Sequence, residues 1–419
     1  MSGHTATEKI MAKHAGKAEV FPGDAVVCDV DLVFHHSPWL CVPYFDEIGE
    51  IGRVFDGDKI AFGLGHHVCL PSTQEYATFL KQSREWTKQY GIKHLYDMGS
   101  GNAHILMLEK GHVAPGSLCV GGDSHATVYG VLGAFGTAIT YEIADAMLSG
   151  KTWFKVPPTV RIRLEGDTRK GVCTRDVGQH LLGNVVGADG AIWKVIDYTG
   201  SYISGLSVMQ RAILSFLAVE MGGMNGFIEP DHKTYEFIRD RVHSSYEPVF
   251  NDADAVFEKE WTVDVSGIEP LVGCPPRPSN TKKVSEVAGT KIDQAYIGGC
   301  TGSSVEDFRM AAEILRGRSI HPDTRLVIVP GTQEILKCLR EEGLMELFEN
   351  MGAVISAPYC GPCQMMCYGF LGEGESMIGT HPRNLPGRAG KDVEIYLASP
   401  YTVAAAAVNG KIVDPRNML

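Results

Sequence analysis

The chain has 419 residues, of which 44% are hydrophobic, 9% aromatic and 21% charged; this is a globular composition with room for several domains, and it excludes disordered, collagenous and coiled-coil classes. A formal charge of −12 argues against a general nucleic-acid or anionic-membrane surface, because those partners demand basic patches that neutralise phosphate. No apolar run approaches the roughly 18 residues of a membrane span, and the polar stretch up to Val20 has no apolar signal core, so the expectation is a cytoplasmic protein.

In chain order, the Val-rich run 25–34 reads as a strand, and 75–90 as a helix with Tyr76, Phe79, Leu80 and Trp86 at helical spacing. A short strand follows at 94–98. Glycines cluster at the ends of these apolar runs (Gly99, Gly101, Gly121, Gly122, Gly130, Gly133, Gly136), as strand-to-helix turns require. Residues 159–164 alternate apolar and charged with period two after the breaker Val156-Pro157-Pro158, which predicts a new domain starting at 159. Residues 206–221 form a helix stopped by Gly222-Gly223, and the proline-rich stretch 273–283 reads as a linker. Beyond it, strands at 294–298, 325–330 and 353–356 alternate with a helix at 305–316 and one or two helices over 333–350, the grammar of a parallel sheet. The expected domains are therefore 1–158, 159–280 and 281–419.

Eleven cysteines in so long a chain are too sparse for a disulfide scaffold, and the odd number fits a reducing compartment. Cys360-Gly361-Pro362-Cys363 follows the strand at 353–356, and Cys300 ends the strand at 294–298, so one parallel sheet would bring three thiols to its carboxyl edge. A Cys-x-x-Cys pair is also a dithiol redox motif, and Cys367 could complete a zinc site. Buried inert thiols are the natural reading of Cys28, Cys119 and Cys338. Three thiolates without a fourth suit a [4Fe-4S] cluster with one iron open to a substrate hydroxyl and carboxylate.

Several segments together carry a resemblance that runs nearly end to end: Leu108-Glu-Lys-Gly111, Gly122-Asp-Ser-His125, Gly150-Lys-Thr-Trp153, Glu220 to Asp231, Tyr296-Ile-Gly-Gly-Cys-Thr301, Cys360-Gly-Pro-Cys363, Arg383-Asn-Leu-Pro-Gly-Arg388 and Leu397-Ala-Ser-Pro400. The chain resembles the large subunits of the aconitase superfamily, those of 3-isopropylmalate dehydratase and homoaconitase among them. The resemblance implies a three-domain α/β/α fold with parallel-rich sheets around a [4Fe-4S] cluster held by Cys300, Cys360 and Cys363. It implies active-site roles for His67, His104, Asp123, His125 and Glu220, and substrate contacts from Ser124, Arg383 and Arg388. The implied reaction is dehydration or isomerisation of a hydroxy di- or tricarboxylate, with 3-isopropylmalate, and so leucine biosynthesis, as the default.

The departures from that pattern are as informative. His66 stands where the family has the aspartate that partners His67; Phe216 and Pro382 stand where it has asparagines; Gly121 replaces a common cysteine, and His35-His-Ser-Pro-Trp-Leu40 lacks the usual substrate-loop pattern. These leave open a different substituted malate or citrate, homoaconitate-like or dimethylmalate-like, or a cluster-binding regulatory protein that has lost turnover. Single-chain aconitases carry a fourth, swivelling domain that supplies a serine base, whereas this sequence stops at Leu419. A separate small subunit is the expected partner, with no nucleic-acid or membrane partner.

Overall fold

The structure is a computed structural model that describes residues 3–36, 52–363 and 369–419. Along Ala25–Asp29 exposed and buried side chains alternate, and this strand pairs antiparallel with Lys151–Lys155, which shows the same alternation. The run predicted as one strand over 25–34 is in fact two strands in different sheets. Asp31 makes the break: its Oδ2 accepts the Leu118 amide at 3.1 Å and lies 2.7 Å from His14 Nε2, turning the chain into Leu32–His35.

Leu32–His35 is buried at every position, as a central parallel strand should be. It is third in a five-stranded parallel sheet ordered His94–Tyr96, Ile60–Gly63, Leu32–His35, Leu118–Gly121, Phe135–Ala138. The chain first builds outward on one side of this strand, then returns to its other side. Leu32–His35 and Leu118–Gly121 therefore flank a topological switch point, where the carboxyl ends open a crevice.

A four-stranded parallel sheet comes next, ordered Asn225–Phe227, Val195–Thr199, Thr159–Glu165, Lys259–Asp264. The helix predicted over 206–221 is α-helical at Val208–Leu217 and tightens to 3₁₀ at Ala218–Met221. Ser207 caps it by accepting the Gln210 amide at 3.2 Å. Val208, Ala212, Leu214 and Phe216 are buried along this helix, which packs on the 3₁₀ helix Ser124–Leu132, each of the large side chains contributing about 1.5–3 kcal/mol of burial.

The third sheet has seven strands, ordered Thr281–Lys283, Leu271–Gly273, Glu394–Ala398, Ser376–Gly379, Gln294–Ile297, Arg325–Ile328, Val354–Ile355. The stretch read as a linker over 273–283 is thereby corrected. Leu271–Gly273 and Thr281–Lys283 pair antiparallel and extend this sheet, so the prolines shape a hairpin rather than a tether. The stretch 333–350, expected to hold one or two helices, holds two, Gln333–Glu341 and Leu344–Asn350, separated by Gly343 at φ +70°. Gln294–Ile297 pairs in parallel with both Arg325–Ile328 and Ser376–Gly379, which creates a second switch point. The architecture is α/β with parallel-rich sheets. Among the described residues, no helix is long and apolar enough to cross a membrane.

Candidate active site

The two switch points supply the two halves of one site. At the first, Gly121 and Gly122 let the chain turn off Leu118–Gly121 against the neighbouring strand; a Cβ on Gly122 would lie 2.0 Å from the His35 ring. Asp123 then caps the 3₁₀ helix, its Oδ1 accepting the His125 amide at 2.9 Å. The same Oδ1 accepts from His104 Nε2 at 2.8 Å and lies 3.5 Å from His125 Nδ1, while Oδ2 is 2.9 Å from His36 Nε2. These imidazoles hold the Asp123 carboxyl well below the usual range against the opposing effect of its burial.

His104 is fully buried near the start of the helix Ala103–Glu109. Asn102 caps that helix through Oδ1 on the His104 amide (3.1 Å) and donates from Nδ2 to Cys300 Sγ at 3.2 Å, so one side chain ties the imidazole half to a thiol. Burial lowers the His104 pKa in spite of Asp123, which favours the neutral ring. His125 behaves in the opposite way. Burial works against its charge, but Cys300, Asp123 and Glu220 together lift its pKa to about 10. Its Nε2 lies 3.5 Å from Glu220 Oε1, and the same oxygen accepts from Arg383 Nε at 2.6 Å. Glu220 comes from the tightened end of the helix that carries Phe216, whose ring packs edge-on against His104 and His125 at 6.1 and 5.9 Å.

At the second switch point, Gly298 and Gly299 (φ +78°) lead from Gln294–Ile297 to Cys300, and Arg383 follows Ser376–Gly379. The turn bearing Cys360 and Cys363 is seated by Tyr296, which donates from its hydroxyl to the Cys360 carbonyl at 2.8 Å. Gly361 has φ +72°, and a Cβ there would fall 2.0 Å from that hydroxyl. The Cys360 amide donates to the His66 carbonyl at 2.8 Å, joining the turn to the first sheet. Cys300, Cys360 and Cys363 are 4%, 3% and 5% exposed. Cys360 sits between the other two and retains its proton; by hydrogen-bonding to them it draws Cys300 down and Cys363 to about 6, Cys363 with further help from Arg388. Arg388 donates to the Cys363 carbonyl at 2.7 Å and reaches its sulfur at 3.5 Å.

Three buried thiols in mutual reach cannot all ionise unless a cation lies among them, and soft sulfur donors suit iron–sulfur or zinc chemistry. Ligand atoms of His66, Cys300 and Cys360 also lie within 4.8 Å of one another. The residues present therefore fit a thiophilic metal group. Cys367, the sequence candidate for a fourth ligand, lies outside the described residues.

His67 does not lack a neighbour in the absence of its expected aspartate: its Nε2 is 3.3 Å from His36 Nε2, the same nitrogen that faces Asp123 Oδ2. His66 Nδ1 accepts the Ala103 amide at 3.1 Å. Ser124 opens the 3₁₀ helix and lines a cavity of about 320 Å³ with Thr127, Trp193 and Val219. Sequence reasoning did not pick out three participants. Asn102 was discernible as a cap after Gly101, and His36 as the residue just past a strand at a switch point. Arg175, fully buried and bonded to Gln179 and the His381 carbonyl, had no local signal; burial lowers its pKa to about 10.

The class so defined is a buried, thiol-rich centre able to hold metal, set against imidazole–carboxylate pairs suited to moving a proton. A sequence model of the aconitase family (aconitate hydratase) matches residues 67–290 and 279–410, and the chain belongs to that family. It is 41% identical over 421 residues to the 3-isopropylmalate dehydratase large subunit 1 of Methanopyrus kandleri, covering 100% of both chains. It is 40% identical over 396 residues to the "Probable methanogen homoaconitase large subunit" of Methanosarcina mazei, covering 94% of this chain and 100% of that one. The crystal structure of Thermococcus kodakaraensis aconitase X (holo-form) superposes with a TM-score of 0.46 and 13% identity, covering 90% of this chain and 89% of that one.

Proposed function

We propose that the chain is the large subunit of a cytoplasmic hydro-lyase acting on a hydroxy di- or tricarboxylate, 3-isopropylmalate or a closely related substituted malate or citrate. The observation that carries this reading is the meeting of Cys300, Cys360 and Cys363 with the pairs His104–Asp123 and His125–Glu220. In this reading the three thiols hold a [4Fe-4S] cluster, which when bound supplies Lewis-acid activation of the substrate hydroxyl.

The chain's own groups handle the proton and the carboxylates. His125, kept charged between Asp123 and Glu220, gives its proton to the departing hydroxyl as the C–O bond breaks, a contribution of about 10²–10⁴-fold. Asp123 orients both His104 and His125, and His67 lines the same space. Arg383 spends Nε on Glu220 and keeps its remaining N–H groups for a substrate carboxylate, with Ser124 and Arg388 as the further substrate contacts in this reading. The proton lost from the adjacent carbon passes to a base on a separate small subunit; a double bond forms, and re-addition of water in the other sense completes an isomerisation.

Support for that partner comes from the words "large subunit" in the relatives' names and from an exposed aromatic surface next to the cavity that Ser124 lines. Tyr141, Trp153 and Trp193 are 72%, 61% and 73% exposed. They line a cleft of about 930 Å³ that shares Ala138, Ile192, Trp193 and Met224 with the cavity reaching Ser124. Trp193 holds φ +57°, a strained conformation for so large a residue. An exposed aromatic patch of this kind fits an apolar face of the small subunit. The test is anaerobic purification with iron and sulfide analysis, followed by assay on substituted malates with a small subunit added. About four irons per chain and hydration–dehydration turnover are expected; absence of iron after anaerobic reconstitution refutes the reading.

A further inference from the structure

Among the described residues two arginines are fully buried, and the chain treats them in opposite ways. Arg211, 0% exposed, lays its guanidinium on Asp231 with two bonds of 2.9 and 2.6 Å, as a buried cation requires. Arg175, 1% exposed, bonds only to neutral oxygens. Its Nη1 donates to Gln179 Oε1 at 3.0 Å and Nη2 reaches the His381 carbonyl at 3.4 Å, while Nε has no partner among the described residues. The adjacent Asp176 is no substitute, since its Oδ1 accepts the Leu271 amide and its Oδ2 the Cys173 amide, each at 3.0 Å. Arg175 also stands in the first turn of the helix Thr174–His180, where the helix dipole disfavours a cation. Burial lowers its pKa only to about 10, so the charge is retained.

What this unpaired charge touches is the turn that carries Arg383. His381 lies two residues before Arg383, and Pro382 between them offers no N–H and biases His381 toward an extended backbone. The ends of the turn are pinned: Thr301 Oγ1 donates to the Thr380 carbonyl at 2.6 Å, and Asn384 Nδ2 to the Gly273 and Ile395 carbonyls at 3.2 and 3.1 Å. Arg175 holds the middle. Gln179, which receives its other bond, is itself fixed by donating to the Pro278 carbonyl at 2.7 Å and to Thr281 Oγ1 at 2.5 Å. A chain of contacts therefore runs from the hairpin of the third sheet through Gln179 and Arg175 to the turn from which Arg383 reaches Glu220 at 2.6 Å. Glu220 attracts Arg175 as well, so that one carboxylate faces three cations, His125 among them. Such an excess of buried positive charge is offset when an anion binds.

We infer that Arg175 is a positioning residue for substrate binding: it fixes the turn 380–384 so that the free N–H groups of Arg383 face a substrate carboxylate, and its own charge is balanced by the bound dianion rather than by the chain. This inference rests on the reading of Arg383 as a carboxylate contact and adds to it a residue from the second sheet's helices, outside the thiol and imidazole groups.

The probe is the dehydroxylated counterpart of the malate that the cluster-loaded complex with its small subunit turns over, isopropylsuccinate in the case of 3-isopropylmalate. Its binding is followed by anaerobic calorimetry beside steady-state kinetics. If the unaltered complex neither binds the probe nor turns over any substituted malate, the reading of the site falls and this inference with it; if it does both, the variants decide the inference alone. Arg175→Gln is expected to weaken probe binding and raise KM by about tenfold or more, a larger change than in kcat. Arg175→Lys, which keeps the charge, is expected to recover most of that loss. The double variant Arg175→Gln/Arg383→Lys should lose clearly less affinity than the product of the two single losses, because a positioning residue acts through the residue it positions. Should Arg175→Gln not fold, Gln179→Ala removes the fixed acceptor and is expected to weaken binding about threefold. Unchanged affinity in folded Arg175→Gln or Gln179→Ala, an Arg175→Lys as weak as Arg175→Gln, or fully multiplicative losses in the double variant each overturns the proposal.

Discussion

The two edges that meet at the site are built on different principles. The thiol edge is local: Cys360 and Cys363 share one four-residue turn, and Cys300 sits two glycines past a strand, so backbone geometry alone places each sulfur. The imidazole edge is distributed. His36, His67, His104 and His125 come from four separate chain segments, and what unites them is Asp123, whose two oxygens face His36 on one side and His104 and His125 on the other. Local geometry makes an edge recognisable as a motif, whereas a shared counter-charge makes one that is recognisable only once the chain is folded.

The sharpest way to separate the edges is to remove one sulfur. Cys363→Ser is expected to abolish activity together with bound iron, read by absorption and metal analysis, because several kcal/mol of Lewis-acid activation disappear with the ligand. His125→Gln should lower kcat by about 10²–10⁴-fold while iron content stays at the unaltered level. If His125→Gln also loses iron, the edges are one unit and the comparison fails.

A third variant leaves both edges intact. Trp193→Glu places a charge at the exposed rim of the cleft and is expected to weaken small-subunit binding by tenfold or more in a titration, as loss of an aromatic interface anchor does, with iron content unchanged. The smallest effect concerns a buried carboxylate outside the imidazole network. Glu109 accepts one hydrogen bond, from Thr332 at 2.8 Å, and its Oε2 has no partner among the described residues. Burial raises its pKa to about 7. A pKa raised by folding means that the native state binds the proton more tightly. The associated stability is present in full below about pH 4.5 and is lost as pH rises through about 7, with a ceiling on the order of 3 kcal/mol. Glu109→Gln should flatten that part of the stability–pH curve, measured by denaturant unfolding at pH 5 and pH 8. An unchanged slope would assign it to other groups.

The contrast between local and distributed structure also explains what could be read before folding. Short strands bounded by glycines, such as Gln294–Ile297 before Gly298-Gly299, and helices with a capping residue, such as Val305–Leu315 behind Ser304, follow from short-range chemistry and were legible. The same holds for the capping box Thr5–Glu8 that starts Ala6–His14, a signal present in the sequence and passed over. The break at Asp31 was not legible, since it depends on the Leu118 amide far along the chain. Prolines mark a bend without saying whether paired strands flank it, which is why 273–283 reads as a tether and folds as a hairpin. His36 resisted reading for the same reason as Asp31. Its partners are 31 and 87 residues away, and no spacing rule connects them.

The hydrogen bonds that cross between the first and third sheets have a further consequence. The Asn102 amide donates to the Gly331 carbonyl at 2.7 Å, Gln333 Nε2 to the Gly99 carbonyl at 2.6 Å, and the Cys360 amide to the His66 carbonyl at 2.8 Å. All three lie within a few residues of a cysteine, a histidine or a cap of the site, so filling or emptying the thiol pocket must be felt as a change in how firmly two parts of the chain adhere. Amide exchange at Asn102 and Cys360 then becomes a gauge of metal occupancy, slow when the pocket is loaded and faster when it is stripped, and a protease would find the stripped protein first along this seam.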